Sequence, residues 1–180
     1  PVRTAINGAI ASVFAALEGE RLDEMTSPIV RAEKVWVLSG ETSKAGAHAL
    51  QSGLSMVRPG VRSLEEHSYG TELCDAGPGD AAVVFDFFRY RRQVANATQV
   101  FADAGAAVVA VTDSPLSPLV DLADVWCEIE VPAIGPFDSS VPAVAVAELM
   151  VSRVAKELQD QATERIDCIE ALWEKTEVFL

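Results

Sequence analysis

An apolar run near the middle of the chain most constrains what this sequence can fold into. Residues 81–87 read Ala-Ala-Val-Val-Phe-Asp-Phe, and they follow a turn signal at Gly79 and Asp80. A run without alternating polar residues is typical of a strand that is buried on both faces of a parallel sheet. We therefore predict that residues 81–87 form the central strand of an α/β domain.

Four further strands are predicted, and helical patterns separate them along the chain. Their predicted positions are residues 35–39, 61–64, 107–112 and 125–131. Strands that alternate with helices form a parallel sheet with helices on both faces. The simplest arrangement of these strands is the order 2-1-3-4-5. The expected fold class is therefore α/β, a three-layer α/β/α sandwich around a five-stranded parallel sheet.

Helices are expected between the strands. They are predicted at residues 44–56 and 69–75, from the turn after the central strand to about Gly105, at residues 119–122, and from a cap at Asp138 or Ser139 to about Leu158. The last of these is strongly apolar, as expected of a helix that packs on the sheet.

Both ends of the chain are also predicted to be helical. Residues 4–23 have an amphipathic pattern, and Ser27 followed by Pro28 predicts the start of a short helix that ends at Ala32. We expect one domain over residues 1–180, with N-terminal helices (1–34), an α/β core (35–158) and a C-terminal helical tail (159–180).

Charge and composition exclude several classes of function. The chain has 27 acidic and 14 basic residues, a net charge of −13. Such a surface repels nucleic-acid phosphates, so we expect no direct DNA binding by this chain. We find no membrane-spanning run and no signal peptide, and therefore expect a cytoplasmic protein without a membrane partner. Cys74, Cys127 and Cys168 lack metal-ligand spacing, so we expect free thiols, no metal and no cofactor.

Two loops are expected to meet where the sheet order reverses, between the first and third strands. Ligands of open α/β sheets bind at this point, beyond the carboxyl ends of the strands. The first loop, residues 40–44, places two hydroxyls and several backbone N–H groups at a helix start, which can hold an anion. Ordinary N-capping by Thr42 or Ser43 explains the same residues equally well. Neither a dinucleotide-binding fingerprint nor a P-loop is present.

The second loop, residues 86–92, contains Arg89, Arg91 and Arg92 at the predicted start of a helix. Cations at a helix N-terminus are unfavourable by about 0.3–1 kcal/mol each, because the partial charge there is positive. An anionic ligand would offset this cost, and guanidinium groups bind phosphate or carboxylate bidentately. The alternative is a solvated face on which the arginines pair with Asp86, Glu41 or other carboxylates of this acidic chain.

Weaker candidates lie near the same edge of the predicted sheet. Glu65, Glu66 and His67 follow the second strand and can supply the acid and base for an aldose–ketose proton transfer. The alternative is a solvated loop. Ser114 follows the fourth strand at the correct end for binding, although its Thr-Asp-Ser-Pro context is also typical of a turn.

Several segments together carry a resemblance to a known family. They are residues 35–43, 79–80 with 85–90, 105–114 with 117–119 and 122–124, 137–139, and 165–170 with Trp173. In this order and spacing, they resemble the sugar isomerase (SIS) domain, which has a flavodoxin-like fold. More narrowly, the chain is similar to the C-terminal sensor domain of RpiR-type transcriptional regulators.

The resemblance implies a ligand-sensing domain and not an enzyme. Such domains bind a small anionic metabolite, here expected to be a sugar phosphate, and regulate carbohydrate metabolism as homodimers or tetramers. The helix-turn-helix domain that binds DNA in these regulators is absent from this chain. The alternatives are a phosphosugar isomerase and a SIS scaffold that binds no ligand and only mediates oligomerisation.

The sequence departs from the SIS pattern in the phosphate loop. The family pattern Ser-x-Ser-x-x-Thr falls on Asp86, Phe88 and Arg91, so its three hydroxyls are missing. A carboxylate at Asp86 would repel phosphate, and Arg89 or Arg91 can reverse that sign. The residues that we expect to contact the ligand are Gly40, Glu41, Thr42, Ser43, Asp86, Arg89, Arg91 and Ser114.

Overall fold

A five-stranded parallel sheet in the order β2-β1-β3-β4-β5 forms the centre of the computed structural model, which describes residues 1–179. All four strand pairings are parallel, which confirms the predicted fold class and strand order. The strands are β1 (Val35–Ser39), β2 (Val61–Ser63), β3 (Ala81–Phe85), β4 (Ala107–Thr112) and β5 (Val125–Glu128).

Helices cover both faces of this sheet. They are α1 (Val2–Ala16), α2 (Glu20–Arg31), α3 (Lys44–Val57), α4 (Tyr69–Leu73), α5 (Arg92–Asp103), α6 (Val141–Leu158) and α7 (Asp160–Lys175). A single 3-10 turn (Glu66–Ser68) precedes α4, and a two-stranded antiparallel hairpin, β6 (Ala133–Ile134) and β7 (Phe137–Asp138), precedes α6.

Alternate residues of each central strand enter opposite halves of the core. Val35 and Val37 of β1 pack in the half that α1, α2, α3, α6 and α7 cover. Trp36 and Leu38 pack in the half that α4 and α5 cover. All residues of β3 are buried. The central strand is therefore apolar throughout because both of its faces pack against helices.

The helix predicted over residues 4–23 is wrong, because the structure divides this segment into α1 and α2. Gly19 adopts φ 62°, a left-handed conformation that interrupts the helix and that glycine adopts without steric cost. The predicted helix start at Ser27 is also wrong, because Pro28 lies inside α2. The amphipathic pattern continues through the break and therefore does not reveal it.

Two further predictions about the second half of the chain are corrected. Residues 119–122 form turns and not a helix, and the β6–β7 hairpin was not predicted. The N-cap of α6 is Ser140, although the Ser139 hydroxyl accepts a hydrogen bond from the Val141 N–H at 3.3 Å. Gln159, with φ 39°, separates α6 from α7 at the helix end that was predicted near Leu158.

A buried arginine joins the end of α2 to the end of α3. Arg58 is 6% exposed, and its guanidinium donates to the carbonyl oxygens of Ile29, Ala32, Glu33 and Pro59. Ala32 is the C-cap of α2, so Arg58 satisfies carbonyl groups that a helix end leaves without partners. Burial lowers the pKa of Arg58.

We expect Arg58→Met to lower the free energy of unfolding by about 2–4 kcal/mol, because it leaves buried carbonyl groups without donors. Arg31→Met is the matched control, because Arg31 is an exposed residue in the same part of α2. The control should change the free energy by less than about 0.5 kcal/mol. Urea unfolding followed by circular dichroism measures both values. Equal small effects would show that Arg58 does not hold the helix end.

Helices α3 and α6 approach each other closely at Gly46. A Cβ atom placed on Gly46 would lie 2.6 Å from the Ala143 Cβ atom and 3.0 Å from its carbonyl oxygen. Backbone atoms of Ala143 cannot move away without displacing α6, so this position requires glycine. By contrast, a Cβ atom on Gly8 in α1 would meet no atom within 4 Å.

Alanine substitution at these two glycines should therefore have opposite effects. Gly46→Ala should lower the free energy of unfolding by about 1–3 kcal/mol, because it overpacks the α3–α6 contact. Gly8→Ala should raise the free energy by about 0.5–1 kcal/mol, because alanine favours an exposed helix interior. Urea unfolding of the two variants tests the prediction, and a stabilising Gly46→Ala would contradict the packing described.

Candidate functional site

A polar cleft lies at the carboxyl ends of β1 and β2, where the sheet order reverses. Its volume is about 600 Å³. Ser39, the last residue of β1, and Ser63, the last residue of β2, contribute to its floor. The charged and aromatic residues of its rim come from the β1–α3 loop and α3, from the segment between β2 and α4, and from the start of α5. The cleft therefore occupies the position expected for a ligand site in this fold.

The α3 wall of the cleft carries a pair of opposite charges. The Lys44 ammonium lies 3.0 Å from the Glu41 carboxylate, and both side chains are mostly exposed. The hydrogen bond and charge of Lys44 lower the pKa of Glu41, and Arg91 lowers it further. The pKa of Lys44 is raised by Glu41 and, more weakly, by Glu65 and Glu66 across the cleft.

The opposite wall is acidic and consists of Glu65, Glu66 and His67, followed by Tyr69. The Ser63 hydroxyl donates to the Glu65 carboxylate at 3.3 Å. Burial raises the pKa of Tyr69, and the nearby carboxylates of Glu66 and Glu65 add to this effect. This wall offers carboxylate acceptors, an imidazole and a phenol, which are groups that bind the hydroxyls of a polar ligand.

Ser43 ties the β1–α3 loop to the end of β3. The side chain is fully buried, and its hydroxyl donates to the Phe85 carbonyl oxygen at 2.6 Å. The Gly40 N–H donates to the same oxygen at 2.9 Å. Ser43 therefore fixes the loop that forms one wall of the cleft. Thr42 is exposed and is not among the residues that line the cleft.

Asp86 lies beneath this loop and is only 2% exposed. One carboxylate oxygen accepts the Arg91 N–H at 2.9 Å, and Arg91 is the N-cap of α5. The other oxygen packs on Gly40, where a Cβ atom would lie 2.0 Å from it. Burial raises the pKa of Asp86 to about 6, against the lowering effect of the Arg91 and Phe87 backbone amides.

A second aspartate, Asp113, fixes the rest of the turn between β3 and α5. Its two carboxylate oxygens accept the Phe88 N–H at 2.9 Å and the Tyr90 hydroxyl at 2.7 Å. The Thr112 hydroxyl donates to the Asp86 carbonyl oxygen at 2.9 Å. Asp113 and Ser114 were both expected at this end of β4, but only Ser114 was kept as a ligand contact, although an aspartate directly after β4 was the available signal for Asp113. The Ser114 hydroxyl accepts the Leu116 N–H at 3.1 Å within its own turn.

Only one of the three arginines of this turn lines the cleft. Arg91 lines the cleft, whereas Arg89 and Arg92 are exposed and do not line it. Arg89 adopts φ 75°, a conformation uncommon for residues other than glycine. Within residues 1–179, no carboxylate lies within 4.0 Å of the Arg91 guanidinium. Of the predicted ligand contacts, the structure thus brings Glu41 and Arg91 together at the cleft.

The structure also gives the placement of potential metal ligands and thiols among residues 1–179. These residues contain no group of three or more histidine, cysteine or acidic side chains that could hold a metal ion. All three cysteines are free, and burial raises the pKa of Cys127 to about 12. No helix among residues 1–179 is long and apolar enough to cross a membrane.

The parallel sheet and the polar cleft at its reversal point define an α/β domain with a candidate ligand site. The sequence profile of the SIS domain matches residues 28–153. Because this match covers more than half of the chain, the protein belongs to the SIS domain family. No curated protein sequence matches the chain.

Solved structures with the same fold include regulators and an isomerase-like protein. The sugar isomerase domain of an RpiR transcription factor from Sphaerobacter thermophilus superposes with a TM-score of 0.88, at 24% identity over 94% of this chain and 96% of that one. The Vibrio vulnificus NanR protein complexed with ManNAc-6P gives 0.75, at 16% identity over 97% and 69%. A Methanococcus jannaschii protein, for which a 3-hexulose-6-phosphate isomerase function was inferred, gives 0.74, at 12% identity over 91% and 96%. Identities this low establish the fold alone.

The raised pKa of Asp86 predicts a specific pH dependence of stability. The folded protein holds the Asp86 proton more tightly than the unfolded chain, because the pKa rises from 3.8 to about 6 on folding. The Asp86 contribution to the free energy of unfolding should therefore increase as the pH falls from about 7 to about 4. Urea unfolding at about pH 5 and about pH 7.5 should show a larger gain on acidification in the wild type than in Asp86→Asn.

Asp75→Asn is the control for this measurement, because Asp75 is exposed. Its variant should keep the pH dependence of the wild type. If the difference between the wild type and Asp86→Asn is the same at both pH values, the folded pKa of Asp86 is not raised.

Proposed function

We propose that this chain is the phosphosugar-sensing domain of an RpiR-type transcriptional regulator. The proposal rests on the polar cleft at the sheet reversal. Arg91 lines this cleft and has no ion-pair partner among residues 1–179. A phosphate group is the natural partner for a guanidinium in such a place. The similar NanR protein is complexed with ManNAc-6P, which supports this ligand class.

The size and lining of the cleft suit a sugar phosphate. A volume of about 600 Å³ lies within the usual range for small-molecule sites. The cations Lys44 and Arg91 stand on the α3 and α5 side, and Glu65, Glu66 and His67 stand opposite. A ligand with an anionic group at one end and several hydroxyls at the other matches this distribution of charge.

Sensing requires that the ligand bind one conformation of the domain better than another. Three loops meet at the cleft, and a ligand that contacts all three stabilises their closed arrangement. We propose that this closure changes how subunits of a homo-oligomer pack, and that the change reaches a DNA-binding domain outside this chain. The net charge of −13 supports a division of labour in which this domain does not itself bind DNA.

A phosphosugar isomerase is the second candidate, because the same cleft contains Glu65, Glu66 and His67. A general base must lie within hydrogen-bond reach of the proton that it removes. Within residues 1–179, no hydrogen bond or ion pair orients the His67 ring. The sensor is therefore the better supported of the two functions.

A thermal-shift panel tests the proposal. The panel contains glucose 6-phosphate, fructose 6-phosphate, ribose 5-phosphate and ManNAc-6P, each with its neutral parent sugar as the control. A ligand present at about 100 times its Kd should add about 2.7 kcal/mol, or roughly 5–10 °C in Tm. We expect at least one phosphosugar, and no neutral sugar, to give such a shift. No shift with any phosphosugar would favour the non-binding scaffold.

An assay of aldose–ketose interconversion distinguishes the sensor from the isomerase. The same aldose and ketose phosphates are incubated with the protein, and their interconversion is followed by chromatography. We expect binding without interconversion. Robust interconversion that is lost in His67→Ala would establish the isomerase instead.

A further inference from the structure

We infer that the cleft holds the anionic group of its ligand between the Arg91 guanidinium and the Lys44 ammonium, and not on the turn between β3 and α5. The inference rests on the proposed function and specifies where the phosphate binds. It follows from three observations: the turn after β3 is already occupied by carboxylates of the chain, Arg91 alone of the three arginines lines the cleft, and Lys44 stands beside it.

Two backbone amides of the turn after β3 are already bonded to carboxylates of the chain. The amides at Phe88 and Arg91 donate to the carboxylates of Asp113 and Asp86, at 2.9 Å in each case. These amides are backbone donors that a phosphate bound to this turn would use. A phosphate here would have to displace two carboxylates of the protein and would otherwise be repelled by them. Because Asp86 is 2% exposed, its displacement would also open the contact with Gly40.

The α3 side of the cleft is open to an anion. Lys44 is the first residue of α3, and the first-turn amides of a helix have no acceptor within that helix. The partner of Lys44 is Glu41, and both side chains of this pair are 61% exposed. An exposed ion pair is weak, so a phosphate dianion can replace Glu41 as the partner of Lys44.

The backbone of the turn explains why Arg91 and not Arg89 reaches this place. Asp86 holds the Arg91 amide at the start of α5, and the Arg91 side chain lines the cleft. Arg91 also lowers the pKa of Glu41, so its charge lies close to the Glu41–Lys44 pair. Arg89 leaves the turn from a left-handed backbone and does not line the cleft. Thus Asp86, although it repels anions from the turn, positions the guanidinium that binds them.

Two variants and two matched controls test the inference. Arg91→Gln and Lys44→Gln each remove one of the proposed contacts, and Arg89→Gln and Arg92→Gln remove an exposed arginine of the same turn. The affinity of each variant for the phosphosugars of the panel and for the neutral parent sugars is measured by calorimetry. All four side chains are exposed, so the ligand-free Tm should stay close to that of the wild type.

We expect Arg91→Gln and Lys44→Gln to weaken phosphosugar binding about tenfold or more, because each variant loses a charge-assisted hydrogen bond to the phosphate. Arg89→Gln and Arg92→Gln should change it less than about threefold. Affinity for the neutral sugars should be the same in all five proteins, because the lost contact is to the phosphate.

The outcomes distinguish this inference from the proposed function. If Arg89→Gln or Arg92→Gln weakens binding as much as Arg91→Gln does, or if Lys44→Gln has no effect, the phosphate lies elsewhere and only the inference fails. If no phosphosugar in the panel binds to the wild type, the proposed function fails and the inference fails with it.

Discussion

The buried carboxylate of Asp86 is the interaction on which the site depends. It lies between two loops, packing on Gly40 at the start of the first and accepting the Arg91 amide at the end of the second. Burying a carboxylate costs free energy, and this cost raises the pKa of Asp86 to about 6. The helix-start amide offsets part of it, because the N-terminus of α5 favours a negative charge. Asp86 thus fixes the relative position of the loops that form one side of the cleft.

The two sides of the cleft differ in how firmly they are held. Ser43, Asp86 and Asp113 bind backbone atoms of neighbouring elements, so the β1–α3 and β3–α5 side is rigid. On the other side, neither the 3-10 turn Glu66–Ser68 nor α4 contains a buried residue. Segments with few buried contacts open at the lowest free energy. The acidic wall is therefore the side of the cleft that can move at the lower cost in free energy.

The fold and the position of the cleft could be predicted from the sequence, whereas most side-chain contacts within the site could not. The strand β3 and the order of the sheet follow from apolar runs and alternating elements. The break at Gly19 could not be predicted, because the amphipathic pattern continues on both sides of it. Asp86 was expected to contact the ligand, and the structure shows it buried beneath Gly40. Asp86 accepts the Arg91 amide of its own turn and packs on Gly40 of another loop, and no sequence pattern marks either contact.

The carboxylates of Asp86 and Asp113 also offset the unfavourable charge of the arginines at the start of α5. Cations at the start of α5 oppose the helix dipole, and either a ligand or neighbouring carboxylates must offset them. Asp86 binds the α5 start directly, and Asp113 binds the turn that leads to it. The protein thus supplies its own counter-charge, so the arginines are not by themselves a reason to expect a ligand on this turn. Arg91 lines the cleft, and no carboxylate among residues 1–179 lies within 4.0 Å of its guanidinium, although its charge acts to lower the pKa of Asp86 as well as that of Glu41. A guanidinium placed there, with its backbone already satisfied, is available to an anion that enters from solvent.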